Sequence, residues 1–212
     1  MPRIYVLAGV NGAGKSSIGG AAFRACGADY FNPDEAARTI LATHPALTQT
    51  QANAQAWQLG RHMLERAIAE GLDFAFETTL GANTMPRLLR EAAQEGIEVF
   101  VWYAGLSSPQ LHIARVKSRV NRGGHDVAEA DIRRRYQHSR LNLIHLLPHL
   151  AALRIYDNSA DADPAEGCAP EPVLVLHMER RSILNTQDLP KAPDWARPIV
   201  AAALHDAGSS AC

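Results

Sequence analysis

The segment Gly9-Val10-Asn11-Gly12-Ala13-Gly14-Lys15-Ser16 sets two glycines, a lysine and a hydroxyl at the spacing G-x-x-x-x-G-K-S, the pattern of a phosphate-cradling loop. Small residues at Gly9, Gly12, Ala13 and Gly14 let successive backbone N–H groups curl around phosphate oxygens, and the N-terminus of a following helix adds a favourable dipole. Lys15 is placed to reach the β- and γ-phosphates. The Ser16 hydroxyl is placed to enter the shell of Mg²⁺, an ion that binds few protein groups in such sites and keeps several waters. Gly9, Asn11, Gly12, Ala13, Gly14, Lys15, Ser16 and Ser17 form the candidate nucleotide-binding set, with ATP or GTP as the nucleotide. The helix is expected to run toward Cys26-Gly27.

Three further stretches carry side chains suited to phosphoryl chemistry. Asn32-Pro33-Asp34-Glu35 opens a helix, and Asp34 is a candidate general base that takes the proton of an attacking hydroxyl, worth roughly 10²- to 10⁴-fold. Glu35 reads equally well as a helix cap. Glu77-Thr78-Thr79 brings a carboxylate and two hydroxyls out of an apolar strand. Glu77 suits a substrate hydroxyl or a water-mediated Mg²⁺, and Thr78 and Thr79 suit phosphate or sugar oxygens. Between Leu111 and Arg140 lie Arg115, Arg119, Arg122, Arg133, Arg134, Arg135 and Arg140. Arg115, Arg119 and Arg122 share one helical face while Ile113, Val116 and Val120 share another. Gly123-Gly124 breaks that helix, and Asp126 with Glu129 reads as a capping box opening the next. Two helices on a Gly-Gly hinge describe a lid, in which His125 is a candidate phosphate neighbour and at least half of the arginines are a solvated basic face.

These residues need a parallel sheet to bring them together. Apolar strand-like runs at Ile4 to Ala8, Tyr30-Phe31, Phe74 to Phe76, Val99 to Tyr103 and Leu153 to Tyr156 alternate with helical patterns, the rhythm of an α/β fold with a mostly parallel sheet flanked by helices. Leu59, Met63, Leu64, Ala67 and Ile68 mark a helix ending at Gly71 that is expected to pack and carry no chemistry. A second helix is expected with Thr84 as N-cap and Pro86 in its first turn. Residues 1–160 form the expected core, with the lid at about 111–140. Residues 161–212 form a C-terminal appendage on the same domain: a Ser/Ala/Asp/Pro-rich linker, a strand at Val173 to Met178 and a short helix around Trp195 to Leu204.

The 212 residues, 47% of them hydrophobic, suit one α/β domain with a large core. A formal net charge of −1 gives no overall polyanion-binding surface, and without aromatic interleaving the arginine cluster is a poor nucleic-acid site. Cys26, Cys168 and Cys212 show neither disulfide nor zinc spacing. His138, His145 and His149 lack a completing ligand, and Pro148 interrupts their face. No apolar run is long enough to cross a membrane, and a core strand begins within three residues of the start. A soluble cytoplasmic protein is therefore expected.

In their joint order, the loop, "NPDE", "FETTL", "RVKSRV", "GGH", "IRRRY" and "YDNS" resemble the zeta-toxin family of P-loop kinases over roughly residues 3 to 160. The resemblance implies a kinase that transfers the γ-phosphate of ATP or GTP to a hydroxyl of UDP-N-acetylglucosamine and is held inactive by a small antitoxin. It assigns Lys15 and Ser16 the loop roles, Asp34 the general base, and Glu77 and Thr79 the contacts to the sugar nucleotide. Arg119 and Arg135 take the γ-phosphate, with Arg122 and His125 as reserves. The chain departs from that pattern in "NPDE" for a "DND"-like segment, "ETT" for "EGT", and a shorter, Gly-rich lid. A P-loop ATPase or nucleotide-dependent switch is the alternative, although the chain lacks an LSGGQ-like signature, an NKxD motif and a strand ending in Asp-Glu.

Overall fold

The computed structural model describes residues 1–15, 18–19, 30–160 and 171–209. Ser16, Ser17, the helix expected to run toward Cys26-Gly27, and all three cysteines lie outside the described residues.

Seven strands form one sheet: β1 (Arg3–Ala8), β2 (Tyr30–Phe31), β3 (Phe74–Thr78), β4 (Glu98–Gly105), β5 (Ala152–Asp157), β6 (Val173–Glu179) and β7 (Ser182–Thr186), in the order β2-β3-β1-β4-β5-β6-β7. The first five are parallel, and β6 and β7 add antiparallel. β1 reads as an unbroken apolar run because both of its faces are covered: Ile4, Val6, Leu7 and Ala8 have no exposed surface. It lies between β3 and β4, so the strand order reverses beside it and a crevice opens at its carboxyl end. Ala8 pairs with Thr78 on one side and Tyr103 on the other. The end of β3 therefore stands next to the start of the phosphate loop.

The connecting helices are α1 (Pro33–Thr43), α2 (Gln49–Glu70), α3 (Thr84–Gln94), α4 (Pro109–Asn121), α5 (Glu129–Leu146) and α6 (Arg197–Ser209). Asn32 caps α1 by accepting from Asp34 N and Glu35 N, with Pro33 in the first turn, where its missing N–H is no loss. α2 begins well before the apolar stripe that marks it, at a reciprocal Thr48–Gln51 capping box, and ends at left-handed Gly71. The N-cap of α3 is Asn83, one residue before the expected Thr84, and it makes no side-chain cap bond. The expected Asp126–Glu129 capping box does not form either. Ala128 is the N-cap of α5, and Asp126 Oδ1 instead accepts from Val127 N. β7 carried no sequence signal, since Arg180 and Arg181 turn the chain at positive φ without the usual glycine or asparagine.

Two apolar clusters matter for the site. The main core joins Ile4, Phe76, Val101 and Leu153 of the sheet to Leu64, Leu89, Leu143 and Ile199 of the helices. A separate cluster of Ile113, Val116 and Ile132 joins α4 to α5 and seats both on Val10 of the phosphate loop. Among the described residues no helix is long and apolar enough to cross a membrane.

Candidate active site

The phosphate loop leaves β1 with Gly9 N donating to Thr78 O (3.1 Å). Gly9, Gly12 and Gly14 are dictated by neighbours as well as by φ, and a Cβ on Gly12 (φ 83°) would stand 2.7 Å from His112 O. A Cβ on Gly9 (φ 142°) would stand 2.4 Å from Ala104 O, and one on Gly14 (φ 79°) would stand 2.3 Å from Asn158 Nδ2. Asn158, just past β5 and only 1% exposed, donates from Nδ2 to Ala13 O (2.9 Å), while its buried Oδ1 has no partner among the described residues. From the other side His112 of α4, also 1% exposed, meets Asn11 O through Nδ1 (2.9 Å). Burial pulls His112 down to about 4, so the ring is neutral at pH 7 and its Nδ1–H donates. The loop is thus gripped from β5 and from α4. Neither grip was visible in sequence.

Lys15 Nζ donates to Gly9 O (3.0 Å), which folds the side chain across the mouth of its own loop. Burial lowers its pKa, opposed by the Glu77 and Asp34 carboxylates nearby. Those carboxylates arrive as the sequence suggests, from the ends of β3 and β2. Glu77 is 8% exposed, and its Oε1 accepts from Tyr30 Oη and from Asn32 Nδ2 (3.3 Å). Asn32 therefore ties the start of α1 to Glu77, a link the "NPDE" segment did not announce. Thr78 Oγ1 and Thr79 Oγ1 accept from Leu80 N (3.1 Å) and Gly81 N (3.3 Å), holding Leu80 at φ 51°. Each hydroxyl keeps its proton to donate.

Asp34 stands at the N-terminus of α1 with its side chain 44% exposed. Arg119 Nη1 approaches Oδ2 (3.4 Å) and His125 Nε2 approaches Oδ1 (3.6 Å). Arg119 also donates to His125 O (3.1 Å), so α4 and the loop after it converge on this one carboxylate. Burial lowers the His125 pKa despite Asp34, which leaves the ring mostly neutral at pH 7. Arg135 of α5 donates to Asn11 Oδ1 (2.8 Å), and burial pulls its pKa below the usual guanidinium value. Arg115, Arg133, Arg134 and Arg140 are engaged elsewhere. Arg115 donates to Ala160 O, and Arg140 lies over the Tyr136 ring and donates to Trp195 O. Arg133 and Arg134 make exposed ion pairs with Glu129 and Asp131, and Arg122 is the exposed C-cap of α4.

A cleft of about 470 Å³ adjoins these groups. Asn11, Asp34, Glu77, Thr78, Thr79, His125 and Arg135 all line it, so one residue of the phosphate loop shares a cavity with candidates from three other segments, while Arg119 and Arg122 lie outside the lining. Its far wall is unexpected. Thr50, Asn53, Trp57 and Gly60, spaced along one face of α2, belong to the helix read as packing only. The 3-4 spacing of exposed Thr50, Asn53 and Trp57 was the available signal.

Comparison with known proteins agrees with this geometry. The zeta toxin family model matches residues 1–162. An uncharacterized protein of Haemophilus influenzae is 30% identical over 132 residues, covering 60% of this chain and 88% of its own. The crystal structure of AvrRxo1-ORF1:-ORF2 with ATP superposes with a TM-score of 0.66 at 14% identity, covering 96% of this chain. The chain spans only 64% of that protein's length. The PezAT chromosomal toxin-antitoxin system of Streptococcus pneumoniae matches with a TM-score of 0.55 at 17% identity, over 80% of this chain and 75% of that one. The nucleotide loop, the strand order around it and the family match converge: the chain belongs to the zeta toxin family of P-loop phosphotransferases.

Proposed function

We propose that this chain transfers the γ-phosphoryl group of ATP or GTP to a hydroxyl of a small acceptor bound in the 470 Å³ cleft. The observation that carries this reading is the position of Asp34. Its partly exposed carboxylate, oriented by Arg119 and His125, lines the same cavity as Asn11 of the phosphate loop. An acceptor hydroxyl there gives its proton to Asp34 as its oxygen bonds to the γ-phosphorus. The bond from that phosphorus to the bridging oxygen breaks, and the nucleoside diphosphate leaves. Lys15, Arg119 and Arg135 supply positive charge to the transferring group, and α4 with α5 acts as the lid that brings it. Arg122 is a reserve for the same role.

Mg²⁺ fits this donor set as an ion held chiefly by the nucleotide's phosphates. Among the described residues no group of three or more His, Cys, Asp or Glu side chains forms a metal cage. Ser16 would be its protein ligand, with Glu77 within reach through water, and when bound it would neutralise phosphate charge.

The resemblance makes a sugar nucleotide such as UDP-N-acetylglucosamine the first acceptor to try, and a small protein antitoxin the first partner. The test is incubation with γ-labelled ATP and an acceptor panel, comparing wild type with Asp34→Asn. A labelled acceptor that disappears in the variant, with nucleotide binding retained, supports the reading. Phosphate release indifferent to every acceptor would overturn it in favour of an ATPase.

A further inference from the structure

The charges and the far wall of the cleft speak to the class of acceptor, on the footing of the kinase reading above. Among the described residues the lining carries four carboxylates, Asp34, Glu77, Asp126 and Asp131, against one guanidinium, Arg135. Arg135 is committed to the donor edge through Asn11 Oδ1. Arg119 and Arg134 compensate Asp34 and Asp131 from outside, since neither belongs to the lining. His125 is held mostly neutral by burial. A second phosphate or diphosphate on the acceptor would meet like charge with few cations to receive it.

What the far wall offers instead is an aromatic plate and neutral hydrogen-bonding groups. Trp57 is 37% exposed toward the cleft, with Asn53 and Thr50 one and two turns before it on the same face of α2. An indole face suits the apolar side of a saturated ring, while amide, hydroxyl and carboxylate oxygens suit its hydroxyl groups. We propose that the acceptor is an uncharged, ring-shaped polyhydroxy compound with no phosphate of its own, seated on Trp57 and presenting one hydroxyl to Asp34. The sugar half of the acceptor offered by the family resemblance fits this cleft, and the nucleotide half does not.

The experiment offers the full-length protein γ-labelled ATP with a panel of free sugars, amino sugars and cyclic polyols, each beside its phosphate ester and, where one exists, its UDP-linked form. The expected result is label transfer to a free compound with kcat/KM at least about tenfold above that of its charged forms. Trp57→Ala should raise the acceptor KM about tenfold, with Trp57→Phe recovering most of the loss. The pair Asp126→Asn with Asp131→Asn should narrow the preference for the uncharged form. Preference for a phosphorylated or UDP-linked acceptor overturns this inference and leaves the kinase reading standing. Label released only as inorganic phosphate across the panel overturns the kinase reading itself, and this inference with it.

Discussion

The two halves of the site are built by different means. The donor half is mostly backbone: a short loop whose glycines face Ala104 O and Asn158, clamped by two buried side chains, with its lysine folded onto its own carbonyl. The half proposed for the acceptor is mostly side chains, drawn from β2, β3, α1, α2, α3 and the stretch from His125 to Arg135, with Asp34 and Trp57 left partly open to solvent. A backbone cradle recognises one chemical group and has little freedom to change without losing its shape. A cavity walled by side chains from several elements can change its ligand by single substitutions while the donor machinery stays fixed. The family resemblance is accordingly strongest in the donor loop and thins in the "NPDE" and "ETT" segments.

The sharpest break between the halves is chemical. Lys15→Ala should reduce turnover about 10³-fold and weaken nucleotide binding together, measurable by ATP titration and label transfer. Asp34→Asn should lose a similar factor in transfer while its ATP affinity stays within about twofold. If both variants lose ATP binding equally, the two halves are not separable.

The clamp on the donor half should also be acid-sensitive, in a direction fixed by linkage. His112 titrates at about 4 in the fold against an ordinary 6.5, so above pH 6.5 it is neutral in folded and unfolded chains alike. As pH falls from 6.5 toward 4, only the unfolded chain takes up the proton, and stability should drop by up to about 3 kcal/mol. Urea melts between pH 7 and 4.5 should show this slope, and His112→Gln should flatten it.

Gly14→Ala tests whether backbone shape rules the donor half. With φ at 79° and Asn158 Nδ2 2.3 Å from the added carbon, it should cost about 1–3 kcal/mol in melts and lower ATP affinity. The smallest effect separates the arginines. Arg134→Ala should change stability by less than about 0.5 kcal/mol and leave transfer close to wild type, because that guanidinium is exposed and pairs with Asp131 on the surface of α5. A large loss there would mean that the outward face of α5 also serves the site.

Much of this could be read in sequence, for physical reasons that differ by element. Buried parallel strands announce themselves as apolar runs, and β1 to β5 lie within about two residues of their expected positions. The donor loop is legible because its chemistry depends on contiguous residues. Caps were misplaced at Thr84 and Asp126, since a capping residue type says that a helix starts nearby and not which residue starts it. The hidden parts were contacts across long stretches of chain. Asn158 meets Ala13 from 145 residues away, Arg135 meets Asn11 from 124, and His112 meets Asn11 from 101. Trp57 was missed because its helix was judged by its buried stripe, while the face that lines the cleft is the exposed one.

The grip of Asn158 on the loop also orders events during synthesis. The glycine-rich segment is made 145 residues before its partner Asn158, which stands close to the end of the region that the family model matches. A nascent chain or fragment that stops before Asn158 carries the full nucleotide motif without this support. The loop therefore reaches its full set of contacts only after the fifth strand has been made.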